Sequence, residues 1–266
     1  MRHAIFLPPF GELADPRCLV DLAVAAEANG WDGMFLWDHI LRPRHEPAEV
    51  ADVWICLAAV ATATTSLRIG PMVTPIVRRR PQKLAREALT LDHLSRGRVT
   101  LGLGIGIDGA GELSKFGEVT DARHRGDILD EGAELLVKLW SGEAVNHRGA
   151  AFVVDDVTYL PRPVQSPHIP LWLASGATPG RPARRAARYN GIFPMDVDVD
   201  GLRRLLDVVA AERGSLDGFD VAVQPTERSG LAALAAAGAT WGMTSWWPGC
   251  RAAEVAEVIS RGPESA

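Results

Sequence analysis

Residues 33–43 read GMFLWDHILRP, an apolar run that ends on an aspartate and a histidine side by side, just before a proline. An apolar run without alternation fits a strand covered on both faces, the situation of a strand in a parallel sheet. Ending it on Asp38 and His39 fits a strand whose far end opens into a pocket. Side chains alternate along a strand, so these two point to opposite sides, one facing the pocket and the other flanking it. A histidine in that position can move a proton near neutral pH, and the aspartate can accept hydrogen bonds from a bound heterocycle. The plainer alternative is a loop anchor, with Asp38 capping a turn.

Outward from this stretch the same unit recurs. HAIFLP (3–8) reads as a strand, then Asp15 and Pro16 supply an N-cap and first turn, and Leu19, Leu22, Ala23 and Ala26 share a helical face that Gly30 ends. Val50, Val53, Trp54, Leu57, Ala58 and Ala61 give the second helix. LRIGPMV (67–73) is strand three, with Leu84, Ala88 and Leu91 behind it. RVTLGLGIG (98–106) is strand four, whose helix waits until Leu129, Ala133, Leu136, Val137 and Trp140. AVNHRGAAFVVDD (144–156) reads as a hairpin and YLPRPVQSPHIP (159–170) as a proline-rich connector. PLWLASG (170–176), NGIFP (190–194), FDVAVQ (219–224) and ATWGMTSW (239–246) are strands five to eight, each with a helical stretch after it.

Eight strand–helix units in 266 residues is the arithmetic of a (β/α)8 TIM barrel with insertions after strand four. An open doubly wound sheet shares the alternation, but the number eight favours the barrel. No linker-like stretch interrupts the chain, so residues 1–266 read as a single domain.

Composition narrows the function. At 47% hydrophobic and 23% charged residues the chain can bury a sizeable core without disulfide or metal staples. The net charge of −5 and the absence of a basic face argue against a nucleic-acid partner; Arg78, Arg79 and Arg80 read as a solvated helix start. Cys18, Cys56 and Cys250 fit neither a disulfide framework nor a zinc pattern, which suits a reducing compartment. No apolar run approaches the roughly 20 residues of a spanning helix, and Pro8 and Pro9 interrupt the N-terminal apolar stretch, which lacks a cleavage site. The expectation is a cytoplasmic protein without a membrane partner. The histidines are scattered with no metal-ligand spacing, and no GxSxG motif occurs.

In a TIM barrel the active site lies at the C-terminal ends of the strands. There, Gly70, Pro71 and Pro75 surround Met72 and Val73, which suggests a bulge or kink at the exit of strand three. ASGATPG (174–180) follows strand five with small residues whose amides could receive an anion. Gly104, Gly106 and Gly109 match a GxGxxG spacing, but no helix opens directly after them, so a dinucleotide-binding turn is disfavoured. The glycines fit better as a barrel strand that a flat ring approaches closely.

Several separate blocks, AVAAEANGWDGMFLWDH, RIGPMVTPIVRRRPQKLAREALTLDHLSRGRVTLGLGIG, LDEGAELLVKLWSGEAVNHRG and PRPVQSPHIPLWLASGA, resemble the bacterial luciferase-like monooxygenase family in its own order over residues 3–195. The resemblance is to the branch that uses the 5-deazaflavin coenzyme F420 or, in related members, FMN. It implies a barrel, usually dimeric, that holds an isoalloxazine-type ring across its mouth. It implies His39 as an acid/base group beside the ring, with Asp38 as its neighbour contacting the ring. It further implies a non-proline cis peptide at Met72–Val73, ring contacts at Thr74, Ile105 and Gly106, and a phosphate loop at Ser175, Gly176, Ala177 and Thr178. The sugar-phosphate dehydrogenases of that branch carry a glutamate directly after the strand-four glycine, where this chain has Ile107 and Asp108. Their phosphate-gripping lysines have no clear counterpart. The expected activity is F420-dependent hydride transfer to or from a small organic substrate. The alternatives are an FMN-dependent monooxygenase with a flavin reductase partner, and a non-catalytic cofactor-binding barrel.

Overall fold

The structure, a computed structural model, describes residues 1–42, 48–226 and 229–263. Its strands are β1 (Arg2–Leu7), β2 (Gly33–Leu36), β3 (Arg68–Pro71), β4 (Thr74–Pro75), β5 (Leu101–Gly104), β6 (Ala144–Arg148), β7 (Val153–Thr158), β8 (Leu171–Ser175), β9 (Gly191–Pro194), β10 (Asp220–Val223) and β11 (Trp241–Ser245). The helices are α1 (Pro16–Ala28), α2 (Val53–Ala63), α3 (Pro81–Leu94), α4 (Ala122–Leu139), α5 (Arg181–Ala186), α6 (Val199–Arg213), α7 (Leu231–Ala236) and α8 (Ala252–Ser260). Aspartates set several of the starts: Asp15, Asp52, Asp121 and Asp198 each accept a backbone N–H of the first turn of α1, α2, α4 and α6, which satisfies donors that have no partner inside the helix.

The sheet runs β3-β2-β1-β11-β10-β9-β8-β5-β4, parallel throughout, with β6 and β7 as a separate antiparallel hairpin. Strands β3 and β4 are two halves of one barrel strand, parted at Met72–Val73, whose peptide bond is cis. The lower half pairs with β2, Leu36 opposite Pro71, and the upper half with β5, Thr74 opposite Leu103. Thr100 N donates to Ile69 O at 2.9 Å and Ile69 N to Arg98 O at 3.0 Å, so the lower half also joins the chain leading into β5. The ring therefore closes with eight strands, as the sequence suggested. The long fourth strand, expected over 98–106, is regular only over Leu101–Gly104 because its partner is broken.

That break needs room. A Cβ on Gly102 would lie 2.5 Å from Pro71 O and 2.7 Å from Met72 Sδ, and one on Gly104 would lie 2.7 Å from Val73 Cγ2. Glycine on β5 is thus what lets the bulge project into the barrel.

Two apolar layers follow from strand alternation. Inside the ring, Ala4, Phe6, Phe35, Met72, Trp172, Phe193, Ala222, Trp241 and Met243 form one buried cluster, its aromatic rings 5.3–6.0 Å apart in the Phe35–Trp172–Trp241 group. Outside, Ile5, Leu7, Leu36 and their counterparts meet the helices. The barrel interior is a packed core. Among the described residues no helix is long and apolar enough to cross a membrane. The three cysteines are unbridged.

Candidate active site at the barrel mouth

Phe35 and Trp37 both belong to the inner cluster, so the next residue on that face, His39, comes up at the mouth. Leu36 belongs to the outer core, which sends Asp38 between barrel and helices. The His39 ring lies 6.0 Å from the rings of both Phe10 and Trp37. Its Nδ1 is 2.8 Å from Oε2 of Glu112, a glutamate only 3% exposed.

Glu112 reaches His39 from the long segment between β5 and α4. Its Oε1 accepts the backbone N–H of Ile40 at 2.6 Å and of Leu41 at 2.9 Å. Burial favours the neutral acid, but the hydrogen bond and charge of His39 and the amides of Leu41 and Ile40 outweigh it and hold the Glu112 carboxyl below its ordinary range. An ionised carboxylate only accepts, so Nδ1 of His39 carries the hydrogen and Nε2 is the nitrogen left for the mouth. Asp108 supports the delivery: its Oδ1 accepts from Leu113 N at 2.8 Å and Ser114 N at 3.1 Å, folding the turn that carries Glu112.

Asp38 lies on the other side of the strand from His39. Its carboxylate accepts from Thr74 Oγ1 at 2.7 Å, Trp54 Nε1 at 3.3 Å and Arg79 Nη2 at 3.0 and 3.2 Å. It is 4% exposed. These bonds tie the strand end to α2 and to the loop after β4, and the hydroxyl of Thr74 donates to the same carboxylate. The arginine run departs from expectation. Arg78 and Arg79 are folded inward: Arg78 Nη2 donates to Asp38 O at 2.7 Å and stands 3.9 Å from Glu112 through Nη1. Two guanidinium groups thus neutralise the two buried carboxylates, as buried charge requires.

The remaining expected residues surround the same opening. Met72 is buried and Val73 half-buried, both against the inner cluster. Ile105 turns to the outer core, leaving backbone at the mouth, and Arg125 Nη1 clamps the carbonyls of Ile105 and Gly106 at 3.2 and 2.7 Å. Gly106 has φ +75°. At the end of β8 the hydroxyl of Ser175 is buried and has no hydrogen-bond partner, next to Gly176, where a Cβ would meet nothing within 4 Å. Ala177 is half-buried and Thr178 exposed. One wall of the mouth is therefore backbone and small residues, the other aromatic with an imidazole at its edge.

This arrangement can be set beside known proteins. The luciferase-like monooxygenase family matches residues 1–227. The chain belongs to that family. An F420-dependent glucose-6-phosphate dehydrogenase of Amycolatopsis mediterranei is 35% identical over 163 residues, 60% of this chain and 48% of that protein; the chain spans about half the length of the curated relatives it matches. Among solved structures, the F420-dependent tetrahydromethanopterin reductase of Methanopyrus kandleri superposes with a TM-score of 0.80 at 18% identity, covering 98% of this chain and 97% of that one. An F420-dependent secondary alcohol dehydrogenase in complex with an F420-acetone adduct gives 0.75 at 23% identity, covering 84% and 68%. Both share the fold.

Reading the sequence alone missed Glu112, Arg125 and the inward turn of Arg78 and Arg79. Glu112 is 73 residues from His39, and only barrel closure brings them together. The available signal was a pair of carboxylates, Asp108 and Glu112, in DGAGEL, a glycine-rich segment beyond a strand tip that ends on the apolar Leu113.

Proposed function

We propose that the barrel mouth binds coenzyme F420 and works as an oxidoreductase site in which His39 handles the proton. The observation that carries this is the His39–Glu112 pair: an imidazole at the strand exit, held through Nδ1 by a buried carboxylate, which leaves Nε2 as the ring nitrogen available for chemistry. When bound, the deazaflavin supplies the hydride chemistry; the protein supplies position and charge. The fit to such a group rests on the wall formed by Met72–Val73, Gly104 and Gly106, and on the buried, unpartnered hydroxyl of Ser175 beside open space at Gly176. Arg125 keeps the Ile105–Gly106 backbone in place for it. His39 Nε2 gives or takes the proton of a substrate oxygen. Phe6, Phe10 and Trp37 keep water from that side. The relatives that use F420 support this choice of cofactor over FMN.

The protein works as a homodimer in this reading. Support comes from α2, which has no charged side chain along VWICLAAVATA yet leaves Ile55 67% exposed, as a helix with an apolar outer face does when a partner covers it.

The test is a fluorescence titration of the purified protein with F420 and, separately, FMN. Saturable quenching of F420 at least tenfold tighter than FMN is expected. Tighter FMN binding, with oxygen uptake on adding reduced FMN, would replace the hydride-transfer reading by the monooxygenase one.

A further inference from the structure

A concavity of about 290 Å³ lies at the end of the barrel away from the mouth, where Arg2, Asp32, Arg68, Arg98 and Trp241 meet. Arg2, Arg68 and Trp241 open β1, β3 and β11. The strands are parallel, so all three stand at the N-terminal edge of the ring. That edge of a TIM barrel serves stability more often than reaction.

Three guanidinium groups around one concavity repel one another unless negative charge stands among them. The carboxylates there are already engaged. Asp220 pairs with Arg2 at 2.5 Å, and Arg2 lies over the Trp241 ring at 4.3 Å. Asp32 Oδ2 accepts His3 N at 2.7 Å. Among the described residues, neither Arg68 nor Arg98 forms an ion pair with a carboxylate.

The two differ in what they can still offer. Arg98 gives its five N–H groups to the carbonyls of Ala61, Thr64, Leu67 and Ser95 and to the Thr64 hydroxyl, at 2.7–2.9 Å. It brings fixed charge and no spare donor. Arg68 gives only Nη2, to the neutral Oε1 of Gln165 at 2.9 Å. Its Nε and Nη1 have no partner among the described residues, yet they are not sealed from solvent. Burial pushes both guanidiniums below the usual arginine range, against the partial help of Asp220 at Arg68 and of Glu27 at Arg98. A cation drawn out of water needs a counter-charge, and the free edge of a guanidinium matches two oxygens of one anion.

We infer that the N-terminal end of the barrel binds a small oxyanion, a phosphate group or a carboxylate, gripped by Arg68 and Arg2 in the field of Arg98. The anion would join β1, β3 and the segment entering β5, beside β11, where the first and last strands of the ring meet. The site is separate from the mouth and does not depend on what the mouth binds.

The test is calorimetric titration and thermal unfolding of the full-length protein with sodium phosphate, sodium acetate and sodium chloride at one ionic strength. Phosphate or acetate should bind saturably and raise the melting temperature, and chloride should do neither. Arg68→Gln removes the charge and should weaken the anion about tenfold or more, as the loss of charge-assisted hydrogen bonds requires. Arg2→Gln should weaken it by a smaller factor, and it carries the test if circular dichroism shows Arg68→Gln unfolded. Ser175→Ala, at the other end of the barrel, should leave anion affinity as in the parent. Tighter binding of phosphate than of acetate assigns the site to a phosphate group, and the reverse order to a carboxylate. Equal effects of chloride, no saturable binding, or unchanged affinity in every arginine variant that folds overturns the inference. So does a loss confined to Ser175→Ala, which would put the anion at the mouth.

Discussion

His39 and Glu112 share a hydrogen bond of 2.8 Å across 73 residues of chain, and the same carboxylate holds the two amides that follow the histidine. One buried group therefore fixes the imidazole's tautomer, its rotation and the backbone on which it sits. Replacing Glu112 by Gln keeps the shape but removes the charge and lets Nδ1 lose its fixed role as donor. Turnover should fall about 10- to 100-fold, as when an orienting partner is lost, with F420 affinity nearly unchanged. Steady-state kinetics beside fluorescence titration checks this; an equal loss in affinity would mean that Glu112 only shapes the loop. His39→Ala should abolish turnover and leave cofactor binding within about twofold.

Asp38 is expected to act through structure. Asp38→Ala strands Arg79, Thr74 and Trp54 without their acceptor, and losing one partner of a buried pair costs about 3–5 kcal/mol. Urea unfolding measures this. Asp38→Asn keeps part of the hydrogen bonding and should cost less. Full stability with lost cofactor binding in Asp38→Ala would restore the ring-contact role.

Acid should loosen the molecule at identifiable places. At Glu27 burial opposes ionisation, but the amides of Ser66, Leu67 and Thr65 and the Ser66 hydroxyl outweigh it and lower the carboxyl to about 2. Glu112 is lowered as well. A carboxyl lowered on folding contributes stability that is whole above its unfolded value, near 4.5, and is lost as pH falls through the folded one. Unfolding free energy should therefore be level between about pH 6 and 5 and decline below about pH 4.5. Glu27→Gln should flatten that decline, and an unchanged slope in the variant would remove Glu27 from the explanation.

Gly104→Ala sets a methyl 2.7 Å from Val73 Cγ2, so the bulge must shift at the wall assigned to the ring. Stability should drop by about 1–3 kcal/mol, the usual cost of overpacking, and F420 affinity by more than tenfold. Thermal unfolding and quenching titration report the two effects separately. Unchanged affinity would move the ring away from β5.

Much of this was legible beforehand because it is local. Apolar runs, aspartate caps and glycine stops mark strands and helices within a few residues, and eight repetitions imply closure. Alternation predicts that Asp38 and His39 part to opposite sides of the strand, though not which of them faces in. What alternation cannot predict is the partner across the ring. Asp38 met Thr74, Trp54 and Arg79 because β2, α2 and the loop after β4 converge there, and the arginines turned inward to balance carboxylates that no spacing rule pairs with them.

The most direct measurement is a crystal structure of the protein with F420 bound. The expected result is a ring lying along Met72–Val73 and Gly104–Gly106, its phosphate near Ser175, and His39 Nε2 at the ring's reactive edge with Glu112 still on Nδ1. A ring bound elsewhere, or His39 swung away from Glu112 and out of the mouth, would contradict it.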